Sequence, residues 1–176
     1  MAGTLIIPEV INQFNVYNGD NKYMGISGEV SLATLSAVTA EVSGAGILGT
    51  YNTAVVGAFQ SITQDIPFRM VSEEMFSLLD ASQQAEIVLR SSVQKVNSST
   101  GGTLSSQGMR VVFRGRPTAV NLGTLSQGQL MNASVTLELT YALIEIGGQN
   151  MFELDKLNNV YKVNGKDLLE DIRNQC

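Results

Sequence analysis

Residues 44–49 read GAGILG, the G-x-G-x-x-G spacing of a dinucleotide-binding loop, and Asp65 follows about where a ribose-binding acid would stand. That chemistry needs more than glycines. The loop must join a parallel strand to a helix, because the helix N-terminus holds the pyrophosphate. Here TYNTAVVGAFQSITQDI follows, with β-branched Thr50, Thr53, Val55 and Val56 and no helical stripe. No βαβ alternation occurs along the chain, so nucleotide binding is disfavoured. Two readings stay open on the residues alone. One is a glycine-rich connection between strands. The other is an arm whose apolar Ile47, Leu48, Tyr51, Val55 and Val56 form an interface.

The remaining chemical motifs are weaker. Ser92-Val-Gln-Lys95 matches the S-x-x-K of serine acylases. That pair works on one face of a helix, whereas residues i and i+3 of a strand point to opposite sides. Arg110, Arg114 and Arg116 could form a phosphate patch, but their spacing suits the outer face of a strand, opposed by acids such as Glu86 or Glu138. Asp20, Glu41 and Asp65 lack the spacing of a metal loop. The single cysteine, Cys176, can form neither an internal disulfide nor a cysteine cluster for zinc, and it points to a reducing cytosolic compartment. The chain has no histidine, which removes the commonest general base, the Ser-His and Cys-His nucleophile pairs and the favoured transition-metal ligand. The expectation is a protein without catalytic residues, metal or cofactor, and not an enzyme.

Composition agrees. The 176 residues suffice for one domain with a real core, and 44 % are hydrophobic. Only 15 % are charged, well below the usual quarter, so the surface relies on Ser, Thr, Asn, Gln and Gly. Such a surface resists self-association poorly, which suits a protein that assembles. Eleven basic and 16 acidic residues give a net charge of −5, the wrong balance for gripping phosphates. No run is long and apolar enough for a membrane helix, and Met1–Val10 lacks the basic start of a signal peptide.

Period-two patterning dominates the elements that would position these residues. Ser31–Val42, Gln60–Ile66 (stopping at Pro67), Gln84–Val96 and the stretch GMRVVFRGRP read as strands. In Met131–Ile146, Val135, Leu137, Leu139, Tyr141 and Leu143 take one face. Asn132, Ser134, Thr136, Glu138 and Thr140 take the other. A short helix over 72–80 is capped by Ser72, with Glu73 and Glu74 in its first turn and Met75, Phe76 and Leu79 on its apolar side. Asn164-Gly165 is a tight-turn signal, and Asp167 with Glu170 caps a C-terminal helix over 167–174. The predicted core includes Leu137, Leu139, Tyr141, Met75 and Leu79. The fold class is mainly β: an antiparallel sandwich or part-barrel with two short α-helices. A 16-residue strand spans roughly 50 Å, longer than the roughly 40 Å expected of a globule of this size. Strands longer than their own domain suggest a sheet completed by neighbouring subunits.

The opening carries Asn12, Phe14, Asn15, Val16, Tyr17 and Gly19, then Gly25, Glu29, Val30, Leu32 and Leu35. The close carries Val163, Asn164, Gly165, Asp167, Leu168 and Leu169. In this order the segments resemble the major tail tube proteins of contractile-tailed (myovirus-type) phages and of R-type bacteriocins, the tailocins. The resemblance implies hexameric rings that stack into a hollow tube inside a tail sheath. Each subunit would give long strands to a continuous inner barrel. Gly44, Gly46, Ile47, Leu48, Gly49, Tyr51, Val55, Val56 and Gly57 would form an extended loop, residues 44–57, reaching the next ring. Asn132, Ser134, Thr136, Glu138 and Thr140 would line the lumen, with Glu29 and Ser31 joining them. Apolar Leu5–Ile7 and Leu168–Ile172 would also serve assembly. The implied partners are the sheath, a baseplate or tube initiator and a tape-measure protein. DNA would pass through the lumen without specific binding in a phage, and a bacteriocin would use the tube as a membrane-piercing needle. Assembly would occur in the bacterial host cytoplasm. The rival reading is a monomeric β-sandwich module for binding or adhesion. Such modules usually expose aromatics, and this chain has no tryptophan and 6 % aromatics.

Overall fold

Alternating apolar residues build the molecule around four long antiparallel strands. The computed structural model describes residues 6–19, 21–22, 26, 28–98 and 101–176; Leu5, Asp20 and Gly25 lie outside these. The strands are β1 (Ile6–Asn18), β2 (Asn21–Lys22), β3 (Ala37–Val42), β4 (Tyr51–Phe59), β5 (Thr63–Phe68), β6 (Ala85–Asn97), β7 (Thr103–Asn121), β8 (Ala133–Ile146), β9 (Gln149–Asp155), β10 (Val160–Val163) and β11 (Lys166–Asp167). The helices are α1 (Glu73–Ser77) and α2 (Glu170–Gln175). The main sheet runs β11-β10-β9-β8-β7-β6-β1-β2, with β5 pairing β8 as well, and β3-β4 form a separate two-stranded ribbon. At 19 residues, β7 spans roughly 60 Å.

One face of the sheet carries the core. Ile87 and Leu89 of β6, Val111 and Phe113 of β7, and Val135, Leu137 and Leu139 of β8 are buried there. Ile66 and Phe68 of β5 close one side, and Met75 of α1 and Leu78 just beyond it cover the cluster. Strand β8 changes partner along its length. Residues 133–138 pair β5, and 141–146 pair β9. It can do so because the β7–β8 register breaks between Arg114/Tyr141 and Gly115/Leu139, leaving Thr140 as a bulge. The bulge brings the backbones close: a Cβ on Gly115 would run into the carbonyl of Glu138. It also resets the alternation. Ala142 and Ile144 turn to the core, and Tyr141 and Leu143 turn to the opposite face. The placing of Tyr141 with Leu137 and Leu139 is thereby corrected. Tyr141 and Leu143 instead join Val88, Val112 and Tyr17 in a second, smaller cluster.

Other expectations need adjustment. Only Ala37–Val42 of the predicted strand 31–42 is a strand. Residues 28–36 run without ladder pairing across the core, packing Val30, Ala33 and Leu35 onto it. Their backbone is held by a side chain. Gln64, fully buried, donates its amide to the Ser31 and Asp65 carbonyls (2.8 and 2.7 Å) and accepts from the Ala33 N–H at 2.8 Å. Replacing Gln64 with Leu leaves those backbone groups unmatched, so a loss of about 1–3 kcal/mol is expected in urea unfolding. An unchanged midpoint would mean that water satisfies them.

Strand β5 continues through Pro67, because among the described residues its only strand partner is β8, apart from a bridge from Ile26 to Phe68, and such an edge tolerates a missing N–H. Helix α1 is capped by Ser72 as predicted, but its inner side is Met75, Leu78 and Leu79, while Phe76 is exposed. Residues i, i+3 and i+4 share the inward face of a helix this short. Asp167 belongs to β11 and is not the helix cap; that position is Leu169, and α2 starts at Glu170. Asp167 still serves the helix, accepting from the Leu169 N–H at 3.0 Å and pairing with Arg173 at 2.6 Å. The Arg173 contact and the Leu169 N–H both hold its carboxyl below the usual range.

Candidate functional site

Three surfaces concentrate what the core leaves unused. The first is the segment expected to be an irregular loop over 44–57. It is instead a β-ribbon, with Ala40 opposite Thr53, Glu41 opposite Asn52 and Val42 opposite Tyr51. The glycines of GAGILG make its tip. Gly46 and Gly49 take φ of 88° and 94°, a region that side chains strain to enter, and the Ile47 N–H closes a turn onto the Gly44 carbonyl at 3.1 Å. No helix follows, so the nucleotide chemistry of the spacing is absent. Leu48 is fully exposed, and Ile47, Tyr51, Val55 and Val56 are exposed with it. The ribbon pairs with no strand of the main sheet among the described residues. Two strands alone are marginal in water. At the root, Gly57 lies against Leu169, whose Cδ2 stands 2.6 Å from where a Cβ would be. Phe59 packs edge-on to Tyr161 at 5.2 Å.

The second surface is the face of the main sheet turned away from the core. Ser134, Thr136 and Glu138 lie on it, side by side with β5. Thr136 Oγ1 donates to Asp65 Oδ1 at 2.5 Å. Glu138 is anchored: Ser61 Oγ donates to Oε2 at 2.6 Å and the Ile62 N–H to Oε1 at 3.3 Å. Thr140 sits in the bulge and donates to the Arg114 carbonyl at 3.4 Å. Asn132 precedes the strand, in a left-handed turn with φ of 54°. Glu29 and Ser31 lie on a segment that is not a strand. Glu29 borders an apolar groove with Ile11, Phe14 and Val30 on the core side. Ser31 lies at the margin of β5, beside Thr63 and Asp65.

The same face carries arginines and acids in cross-strand pairs. Arg114 Nε meets Glu86 at 2.6 Å, and Arg110 Nη1 meets Glu145 at 2.9 Å. Arg114 also lies over the Tyr141 ring at 4.5 Å, and Arg90 over the Tyr17 ring at 5.0 Å. The Glu86 contact raises the Arg114 pKa above its ordinary value. Arg116 stands opposite Glu138 in register, but the carboxylate turns to Ser61 and Ile62 instead. Ser92 and Lys95 lie on β6, which sends them to opposite sides.

Tyr141 donates its hydroxyl to Glu153 at 3.2 Å. Burial first, and the Glu153 charge second, push its pKa up to about 12. A phenol that keeps its proton longer in the fold than in the unfolded chain stabilises fully below about pH 10, its ordinary value. That contribution is lost as pH rises from there to about 12. Phenolate absorbance should therefore show a late-titrating component that Tyr141→Phe removes. A titration unchanged in that variant would contradict the assignment.

The third surface is a blade. The N-terminal part of β1, the end of β6 and the start of β7 continue as three strands, and among the described residues no further strand pairs with them. Ile7, Val96 and Leu104 form one transverse row. Ile6, Ile7, Val10, Ile11 and Leu104 are all exposed. Among the described residues, β1 from Ile6 to Val16 has a strand partner only on its β6 side, and β7 from Leu104 to Gln107 only on its β6 side. Both edges of the blade are open templates for pairing. Sequence reasoning missed β1, because Pro8 interrupts it and Glu9 falls at a register break; the alternation of Phe14, Val16 and their polar neighbours was the available signal. Gln64 and Gly115 carried no signal, since their roles depend on distant partners.

The family model described as phage tail tube protein FII matches residues 8–176. The tail tube protein of Escherichia phage P2 is 24 % identical over 170 residues, 96 % of this chain and 97 % of the relative. The major tail tube protein of Serratia phage KSP20 is 28 % identical over 167 residues, 95 % of this chain and 94 % of the relative. A chain in the cryo-EM structure of the sheath/tube terminator of an extracellular contractile injection system, PVC, in its extended state has the same fold. Its TM-score is 0.54 at 17 % identity, covering 79 % of this chain and 97 % of that one.

Proposed function

The chain belongs to the phage tail tube protein FII family, and from that premise we propose that it forms hexameric rings that stack into the hollow inner tube of a contractile tail. The observation that carries this reading is the blade. Strands of 13, 13 and 19 residues outrun the core, and their two edges are open with apolar rows exposed on the blade. A monomer would hold these edges at constant risk of aggregation, whereas ring closure satisfies both at once. The β3–β4 ribbon then serves as the arm between rings. The face of Ser134, Thr136 and Glu138 lines the bore, and the paired arginines there leave few cations available to phosphate. The subunit is structural and has no enzymatic role. It is assembled in the host cytoplasm, receives the sheath on its outside, starts from a baseplate initiator around a tape-measure protein, and passes DNA without holding it.

Negative-stain microscopy of the purified chain tests the proposal. Six-fold rings or long hollow rods are expected, and a monodisperse monomer at high concentration would overturn it. The bore assignment is read by Thr136→Cys in a Cys176→Ser background. In intact tubes a small maleimide should label the new thiol and a polymer-linked maleimide should not. Equal labelling by both would place the face outside.

A further inference from the structure

On the face of the main sheet turned away from the core, Arg90 and Arg116 have no carboxylate partner among the described residues, and Arg90 stands beside a second arginine. Arg90 and Arg110 stand directly opposite on β6 and β7, and like charges so placed are unfavourable alone. Glu145 neutralises Arg110 at 2.9 Å. Arg90 has no carboxylate partner among the described residues: its guanidinium rests on the Tyr17 ring, and its register partner on β1 is Asn15. The two arginines line a cleft with Gly108, Gly147 and Gly148, whose backbones carry no side chain to fill it. Arg110 Nε is buried with no acceptor. Two guanidiniums against one carboxylate leave the cleft positive and short of an oxyanion.

Position suggests where the oxyanion comes from. The cleft lies at Gly108, where the open edge of β7 ends and pairing with β8 begins. The other open edge is β1, and Glu9 is the only acid in it. Glu9 falls at the register break between Pro8 and Val10. Its carboxylate is exposed and, among the described residues, accepts from the neutral amide of Gln94 alone, at 2.8 Å. Gln94 is four residues from Arg90 on the same strand, hence on the same face of the sheet.

We propose that Glu9 of one copy enters the Arg90–Arg110 cleft of the next when the open β1 edge meets the open β7 edge. This rests on the ring reading above and adds what backbone pairing lacks. Two edges joined only by main-chain hydrogen bonds can slip in register. A carboxylate with a single matching cleft fixes which register closes the ring. An acid from a second copy fits better than a nucleic-acid phosphate chain, because two guanidiniums exceed Glu145 by one charge, which a single carboxylate balances and a polyanion overshoots.

Charge reversal in the full chain tests it. Glu9→Arg and Arg90→Glu should each raise the concentration needed for tube formation about tenfold or more, and the double variant should return to within about threefold of the parent. Circular dichroism of the unassembled proteins separates this from misfolding. Glu9→Gln, which cannot clash, should show a smaller rise and a weaker salt dependence of assembly. A double variant as defective as the worse single one, or single variants that assemble like the parent, would overturn the pairing while leaving the tube intact. A parent that never assembles overturns the tube, and this pairing with it. Binding of a labelled DNA duplex that Arg90→Ala abolishes, with tubes unaffected, would assign the cleft to phosphate and also overturn the proposal.

Discussion

Replacing Glu41–Asn52 with Asn-Gly yields a folded β protein that no longer forms tubes. Ala40 and Thr53 are directly opposed in the ribbon, so a two-residue turn between them closes a shorter hairpin without strain. The excised part holds Ile47, Leu48 and Tyr51, all exposed, and contributes nothing to the core cluster. Its loss should leave the melting temperature nearly unchanged, because the ribbon pairs only with itself among the described residues. Assembly should fall to background, since each ring would lose its reach to the next. Single rings without rods are the expected species in the microscope. Rods of normal length from the shortened chain would show that stacking depends on other contacts, and the ribbon would need another role.

Leu139→Ala is the change expected to damage the fold most. Leu139 is buried in the middle of β8, and its N–H also binds the Ile62 carbonyl at 2.7 Å. Truncation loses the transfer energy of the removed carbons and leaves a cavity between strands that cannot collapse onto it, about 2–5 kcal/mol in all. For a domain of this size that corresponds to a fall in melting temperature of roughly 5–20 °C. Tyr141→Ala is the informative contrast. Plain alternation places both side chains in the same core; the bulge at Thr140 puts Tyr141 on the other face, half-buried under Arg114. Its loss should therefore cost less and should also disturb the Arg114–Glu86 pair. Equal costs for the two variants in denaturant unfolding would argue that the bulge is not populated in solution.

Several features were settled by local chemistry and could be read from the chain. Ser72 followed by two acids and Met75 yields a capped helical turn because the cap and dipole act within one turn. Asn164-Gly165 yields a hairpin because both residues accept positive φ, 51° and 77° here. The period-two stretches yield strands because alternate side chains face alternate sides wherever the backbone is extended. The arginines at 110 and 114 met strand-borne acids on that account. The ordered pattern at the two ends was enough to indicate the family.

What needed the tertiary structure was everything that depends on a partner far away in the chain. Alternation cannot register a bulge, because the extra residue exists only relative to the strand alongside; hence Tyr141 and Leu143 changed faces while Leu137 and Leu139 did not. The segment at 31–36 has strand-like residues but no ladder, and the Gln64 side chain binds the Ser31 carbonyl and the Ala33 N–H in place of a neighbouring strand. The residues after GAGILG were known to favour strand, yet only pairing turned them into a ribbon. The open edges of β1 and β7 were likewise invisible in the sequence: a strand is an edge only by the absence of a neighbour, and that absence is a property of the folded sheet.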